Sequence, residues 1–260
     1  MSEIATPRPA ATIMLIREIN QALEVFMVVR HHQIDFASGA LVFPGGKVDD
    51  QDYDRELLNY CTIIDQAEQA PLMIAAIREA FEESGVLLAR CTDSNELVGG
   101  NLIQSLQPLR QQLVKGDITF IEILKENQLI LACDQLLPFA HWITPEPMPK
   151  RFDTHFYLAL APKDQFAAHD GQESVDSVWI QPQQAITEAS EDKWKIIFPT
   201  RMNLEKLATF ESVSIASQKL PSMPVTVLPK IEARDDTVVL KIPAEAGYSI
   251  TEASIKELKN

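Results

Sequence analysis

Residues 78–85 read REAFEESG: Arg78, Glu79, Ala80, Phe81, Glu82, Glu83, Ser84, Gly85. Glu79, Glu82 and Glu83 are spaced i, i+3 and i+4, which on an α-helix gathers three carboxylates on one face. Met73, Ile77, Ala80 and Phe81 recur at helical spacing on another face. The spacing predicts a helix over about 71–84 that packs in a fixed orientation. Pro71 suits its first turn and Gly85 its C-terminal cap. A solvated acidic stripe is the ordinary fate of such a run. Against it, no lysine follows at i+4 to pair with these acids, and a Gly-Gly turn (Gly45, Gly46) precedes the helix. Converging hard oxygens without cationic partners suit Mg2+ or Mn2+. Arg78 can pair with Glu82 one turn on, or hold an acid from elsewhere.

Outward from this helix the chain alternates strand and helix signals. The apolar, β-branched runs 10–18 and 22–31 flank the polar Ile19-Asn20-Gln21 and read as antiparallel strands. Gly39–Phe43 reads as a third strand, ended by Pro44-Gly45-Gly46. Residues 53–66 show helical spacing at Leu57, Leu58 and Cys61, and 101–115, 117–127 and 201–213 read as further helices. His141–Glu146, Phe152–Pro162 and Ser177–Gln181 read as strands, with a short helix opened by Pro182. The Pro-punctuated end holds two more strand candidates. Strands and helices in this order argue for a mixed α/β sandwich.

Composition narrows the partners. The chain has 260 residues, 46% of them hydrophobic, and a formal net charge of −14. Such a field repels nucleic-acid phosphates but leaves room for a small phosphate ligand held by metal and local basic groups. The longest apolar stretch, 129–140, carries Asp134 and is too short to span a bilayer. No signal peptide is read at the N-terminus. Three cysteines without CxxC spacing (Cys61, Cys91, Cys133) fit reduced thiols in a cytoplasmic protein.

Arg78-Glu79-Ala80-Phe81-Glu82-Glu83-Ser84-Gly85-Val86 resembles the second half of the Nudix box, R-E-U-x-E-E-x-G-U with U apolar. Gly46 followed by five residues and Asp52 resembles the first half, G-x5-E, with Asp in place of Glu. Seven residues usually separate that acid from the Arg; here 25 do, an excess of 18. Residues 53–70 therefore read as a helical insertion, which closure entropy tolerates, although it leaves the distance from Asp52 to the helix unfixed. A split box of this kind is similar to the peroxisomal coenzyme A diphosphatase branch and its bacterial relatives, as are PRPAATIMLIR, LVFPGGKVD, HWITPE and RFDTHFYLA. The resemblance implies a Nudix-type α/β/α sandwich with a mixed sheet over about 7–215, and a C-terminal extension, 216–260, packed on it.

The resemblance also implies a reaction: metal-dependent attack of water on a diphosphate in a nucleoside diphosphate derivative. Coenzyme A or its acyl esters lead; NADH or ADP-ribose, and a non-enzymatic Nudix-fold binding module, are the alternatives. Carried over, Glu82 and Glu83 are metal ligands, Glu79 is a ligand or orients the nucleophile, the Gly45 carbonyl is a further ligand, and Arg78 fixes a carboxylate. An extra acid is expected before a Trp-bearing strand, with Glu173 first and Asp170 and Asp176 behind it. Arg30, Lys47 and Arg151 are the candidates to hold phosphates. His31 and His32 are weaker ones, and Phe152, Phe156 and Tyr157 read more simply as core. The expected partner is a small nucleotide-type substrate, with no nucleic acid and no membrane, and a homodimer is an assembly this reading allows.

Overall fold

The computed structural model describes residues 4–31, 38–62, 67–171, 174–234 and 237–254. Its strands are β1 (Arg8–Ile19), β2 (Ala22–Arg30), β3 (Leu41–Val42), β4 (Gly45–Lys47), β5 (Ala89–Cys91), β6 (Leu129–Leu131), β7 (Leu137–Ile143), β8 (Phe152–Leu160), β9 (Ser174–Ile180), β10 (Thr226–Val227), β11 (Lys230–Arg234), β12 (Thr237–Lys241) and β13 (Glu252–Ser254). Its α-helices are α1 (Arg55–Leu58), α2 (Ala70–Ser84), α3 (Gly100–Lys115), α4 (Phe120–Glu126), α5 (Pro182–Ser190), α6 (Phe198–Leu207) and α7 (Val213–Lys219).

The central sheet runs β10-β7-β8-β1-β2-β3, with β4 added to β1 and β9 to β2. It is mixed: β1 lies parallel to β8 and β10 parallel to β7, while the other pairs are antiparallel. Asn20 and Gln21 both take positive φ, +50° and +65°, the backbone that a two-residue hairpin needs to match strand twist. β1 changes partner along its length. Residues 10–12 pair with the Gly-Gly strand β4, and residues 16–19 with β2. That divergence lets β4 and α2 meet over β1.

Alternation along β1 and β2 builds two cores. Ala11, Ile13, Leu15, Phe26 and Val28 face α2, α3 and α4; Met14, Ile16, Val25 and Met27 face α6 and α7. The result is the expected α/β/α sandwich. The C-terminal part is tied to the second core through Val227, Ile242 and Tyr248. The Tyr248 hydroxyl accepts from Trp142 Nε1 at 2.8 Å and donates to Asn203 Oδ1 at 2.7 Å. No helix among the described residues is long and apolar enough to cross a membrane.

Two expectations need correction. Among the described residues of the segment, 53–62, α-helix is confined to Arg55–Leu58, with 3-10 turns at Asp50–Tyr53 and Ala67–Gln69 on either side, and residues 63–66 lie outside the described residues. Local spacing misled because the chain folds back here, with Thr62 N–H bonded to the Leu131 carbonyl at 2.9 Å and Leu131 N–H to Tyr60. The second concerns the cysteines. Cys61 and Cys133 form a disulfide, with Cα atoms 6.1 Å apart across 72 residues, and Cys91 is free. Counting cysteines cannot see a contact that long-range chain reversal creates.

Candidate active site

Helix α2 is buried nearly all round; apart from Leu72, only Glu79 and Glu82 between Ala70 and Ser84 are half-buried. A helix this deeply enclosed does not carry a merely solvated acidic stripe. It ends as predicted, with Gly85 left-handed at φ +75° and its N–H on the Phe81 carbonyl at 2.9 Å. Arg110 from α3 seals that end, donating from Nε to the Glu82 carbonyl at 3.0 Å and from Nη2 to the Ala168 carbonyl at 3.2 Å. A cation on the last carbonyls also suits the helix dipole.

Arg78 organises the site. Its side chain is 2% exposed and its Asp52 partner 0%. Nε donates to Asp52 Oδ1 at 3.0 Å and Nη2 to Oδ2 at 2.9 Å, a bidentate pair. Nη2 also reaches the Lys47 carbonyl at 3.0 Å. Nη1 donates to Glu79 Oε1 at 3.0 Å and Glu82 Oε1 at 3.1 Å. The insertion therefore leaves Asp52 attached to the helix. Asp52 sits in a tight 3-10 turn where its carboxylate also accepts the Asp49 N–H at 2.8 Å. So it serves as the anchor of Arg78, not as a group facing open space.

The electrostatics follow from burial. Burial pushes the Asp52 and Glu82 carboxyls up, opposed in each case by Arg78. Burial alone would lower the Arg78 pKa; the hydrogen bond to Asp52 and the charges of Glu79 and Glu82 outweigh it and hold the guanidinium charged. On the β4 side, the Gly45 N–H donates to Glu83 Oε2 at 2.9 Å. A Cβ at Gly46 would stand 2.4 Å from Glu79 Oε1, so any larger residue there would displace the Glu79 carboxylate.

These groups open onto a cavity of about 1020 Å3. Glu79, Glu82, Gly45, Gly46, Arg30, His31 and Lys47 line one part of it. Arg30 Nε is buried, and among the described residues no group accepts its hydrogen. Phe152 and Phe156 also line the cavity, whereas Tyr157 points to the other face of the sheet. Arg151 is elsewhere: it is buried and donates to the Thr144 and Ala5 carbonyls at 2.9 and 2.8 Å. Asp170 accepts the Ser174 N–H at 3.0 Å, and Asp176 caps Ser177 N–H at 2.8 Å. Glu173 and His32 lie outside the described residues.

Sequence reasoning missed part of the lining. Trp142, Met148, Phe198, Ile231, Val238 and Leu240 all reach the cavity. Period-two alternation in β11 and β12 was the available signal, but nothing local says what that face covers. It also missed His141, Asp153 and His155, whose ligand-type atoms lie within 4.8 Å of one another on β7 and β8. Strand alternation puts them on the face away from Trp142, Thr154 and Phe156. There the His141 Nε2 and Asp153 form a short contact, Thr226 Oγ1 bonds His141 Nδ1 at 2.8 Å, and the two imidazoles stack at 4.0 Å.

A mixed-sheet sandwich whose buried helix presents Arg-anchored carboxylates to a Gly-Gly strand defines a Nudix hydrolase. The chain belongs to the NUDT19 Nudix domain family, which it matches over residues 66–207. It is 22% identical over 271 residues to the acyl-coenzyme A diphosphatase NUDT19 of Xenopus laevis, covering 86% of this chain and 71% of that protein. The Gallus gallus protein of the same name is 23% identical over 236 residues, covering 74% of this chain and 62% of its own length. Among solved structures, a NUDIX hydrolase from Alicyclobacillus acidocaldarius shares the fold with a TM-score of 0.70 at 24% identity, over 85% of this chain and 100% of that one.

Proposed function

We propose that this Nudix hydrolase cleaves the diphosphate of coenzyme A or an acyl-coenzyme A, with Mg2+ or Mn2+. The observation that carries the reading is the gathering of Glu79, Glu82 and the Gly45-Gly46 turn at one end of a cavity large enough for such a ligand, with Glu83 held beside them on the Gly45 N–H. Relatives named as acyl-coenzyme A diphosphatases support the choice of substrate.

The donor set fits a hard divalent cation: carboxylate oxygens would come from Glu79, Glu82 and Glu83, with the Gly45 carbonyl as a further ligand. When bound, such an ion neutralises phosphate charge and lowers the pKa of water. The chain's own residues do the rest. Arg78 sets the rotamers of Glu79 and Glu82, and Gly45 N–H sets that of Glu83. In this reading Glu79 orients the attacking water and accepts its proton. Arg30 and Lys47, both on the cavity wall, hold phosphate oxygens. Arg151 is left out of this set because its guanidinium serves backbone carbonyls. Water adds to one phosphorus and the P–O–P bond breaks, giving 4′-phosphopantetheine or its acyl form and adenosine 3′,5′-bisphosphate.

Phosphorus-product analysis with coenzyme A, NADH and ADP-ribose tests this. Metal-dependent release of adenosine 3′,5′-bisphosphate, lost in Glu83→Gln, is expected. AMP from NADH or ADP-ribose with coenzyme A untouched would overturn the substrate assignment.

A further inference from the structure

The cavity is segregated by charge. Among the described residues, every ionisable one lining it (Arg30, His31, Lys47, Asp49, Arg78, Glu79, Glu82) comes from the first 82 residues, whereas the described lining from Trp142 onward carries no charge. That second part is closed by the β11–β12 hairpin. Ile231 pairs with Leu240, and Ala233 with Val238, on the face turned to the cavity. The opposite face carries Glu232, Arg234 and Lys241, joined by Lys241–Glu232 and Arg234–Glu252 ion pairs. The hairpin is thus apolar toward the cavity, while its other face sets these charged groups around the buried Val239. Met148 and Ile231, large apolar side chains left 43% and 38% exposed, stand at this part of the cavity. Exposed apolar side chains that converge on one concavity mark a ligand surface.

We infer that the β11–β12 hairpin is the wall of an acyl-binding arm, and that Ile231, Val238 and Leu240 set the chain-length preference of the enzyme. This rests on the coenzyme A diphosphatase reading. The occupant is the hydrocarbon chain of a fatty-acyl thioester: it is uncharged, as the arm is, and it is covalently continuous with a diphosphate that belongs at the ionised end. The cavity, about 1020 Å3, lies at the upper end of the roughly 300–1,000 Å3 usual for small-molecule sites. The hairpin lies beyond residues 66–207, the span matched to the family.

The test is kcat/KM for coenzyme A, acetyl-, octanoyl- and palmitoyl-coenzyme A in wild type, Ile231→Asp, Val238→Ser and the outer-face control Glu232→Gln. A buried methylene is worth about fourfold in affinity, so octanoyl should exceed acetyl by at least about tenfold, through KM. Each cavity-face variant should cut the octanoyl-to-coenzyme A ratio by about tenfold, while Glu232→Gln leaves the ratio alone. Thermal melts of all four proteins check folding, and two cavity-face variants guard against one failing to fold. A flat chain-length profile with coenzyme A still cleaved would overturn the arm alone, as would unchanged ratios in the variants. Failure of wild type to cleave any coenzyme A compound would overturn the arm together with the substrate reading beneath it.

Discussion

Asp52→Ala is the substitution on which the architecture of the site turns. It removes the bidentate partner of a guanidinium that is only 2% exposed, at a position that is itself fully buried. Breaking one side of a buried ion pair costs about 3–5 kcal/mol. Arg78 keeps Glu79, Glu82 and the Lys47 carbonyl, so its charge is not abandoned, and the lower end applies: about 3 kcal/mol. For a chain of this size that lowers Tm by roughly 6–12 °C. Hydrolysis should fall with it, because Arg78 no longer holds the α2 carboxylates from a fixed base. Urea unfolding followed by tryptophan fluorescence measures the cost, and a double-mutant cycle with Arg78→Met isolates the coupling. An Asp52→Ala cost below about 1 kcal/mol, the worth of an exposed pair, or a coupling near zero, would refute the claim that the anchor survives the 25-residue gap.

Three further outcomes are expected. Gly46→Ala would drive a Cβ to 2.4 Å from Glu79 Oε1, and displacing that carboxylate should lower kcat by about 10²-fold with little change in the melting curve; steady-state kinetics beside a thermal melt checks both. Tyr248→Phe deletes the hydroxyl joining Trp142 to Asn203, which should cost about 1–3 kcal/mol in chemical denaturation and loosen the C-terminal part first in hydrogen exchange. Burial holds His155 near a pKa of about 4, below its ordinary 6.5. The unfolded chain therefore takes up this proton first as pH falls, so its contribution to stability is full above pH 6.5 and lost between 6.5 and 4. Its limit is roughly 3 kcal/mol, and His155→Phe should flatten that part of the urea-midpoint profile.

The sequence by itself determined the helix, its carboxylate face, its glycine cap and the sandwich class. These rest on periodicities of two and 3.6 residues and on local cap and turn chemistry, all set by near neighbours. Ala70–Ser84 came out within a residue of the expected 71–84. Tertiary structure alone decided the rest. Whether Asp52 still met Arg78 across 25 residues depended on a 3-10 turn and a chain reversal that local spacing cannot encode. The Cys61–Cys133 bond likewise joins segments that only that reversal brings together. Arg30 and Arg151 were equivalent as letters; packing separated them, one placed on the cavity wall and the other spent on backbone carbonyls. The role of Ile231, Val238 and Leu240 was the least legible. A strand's alternation says which side chains share a face, and only packing says what that face covers.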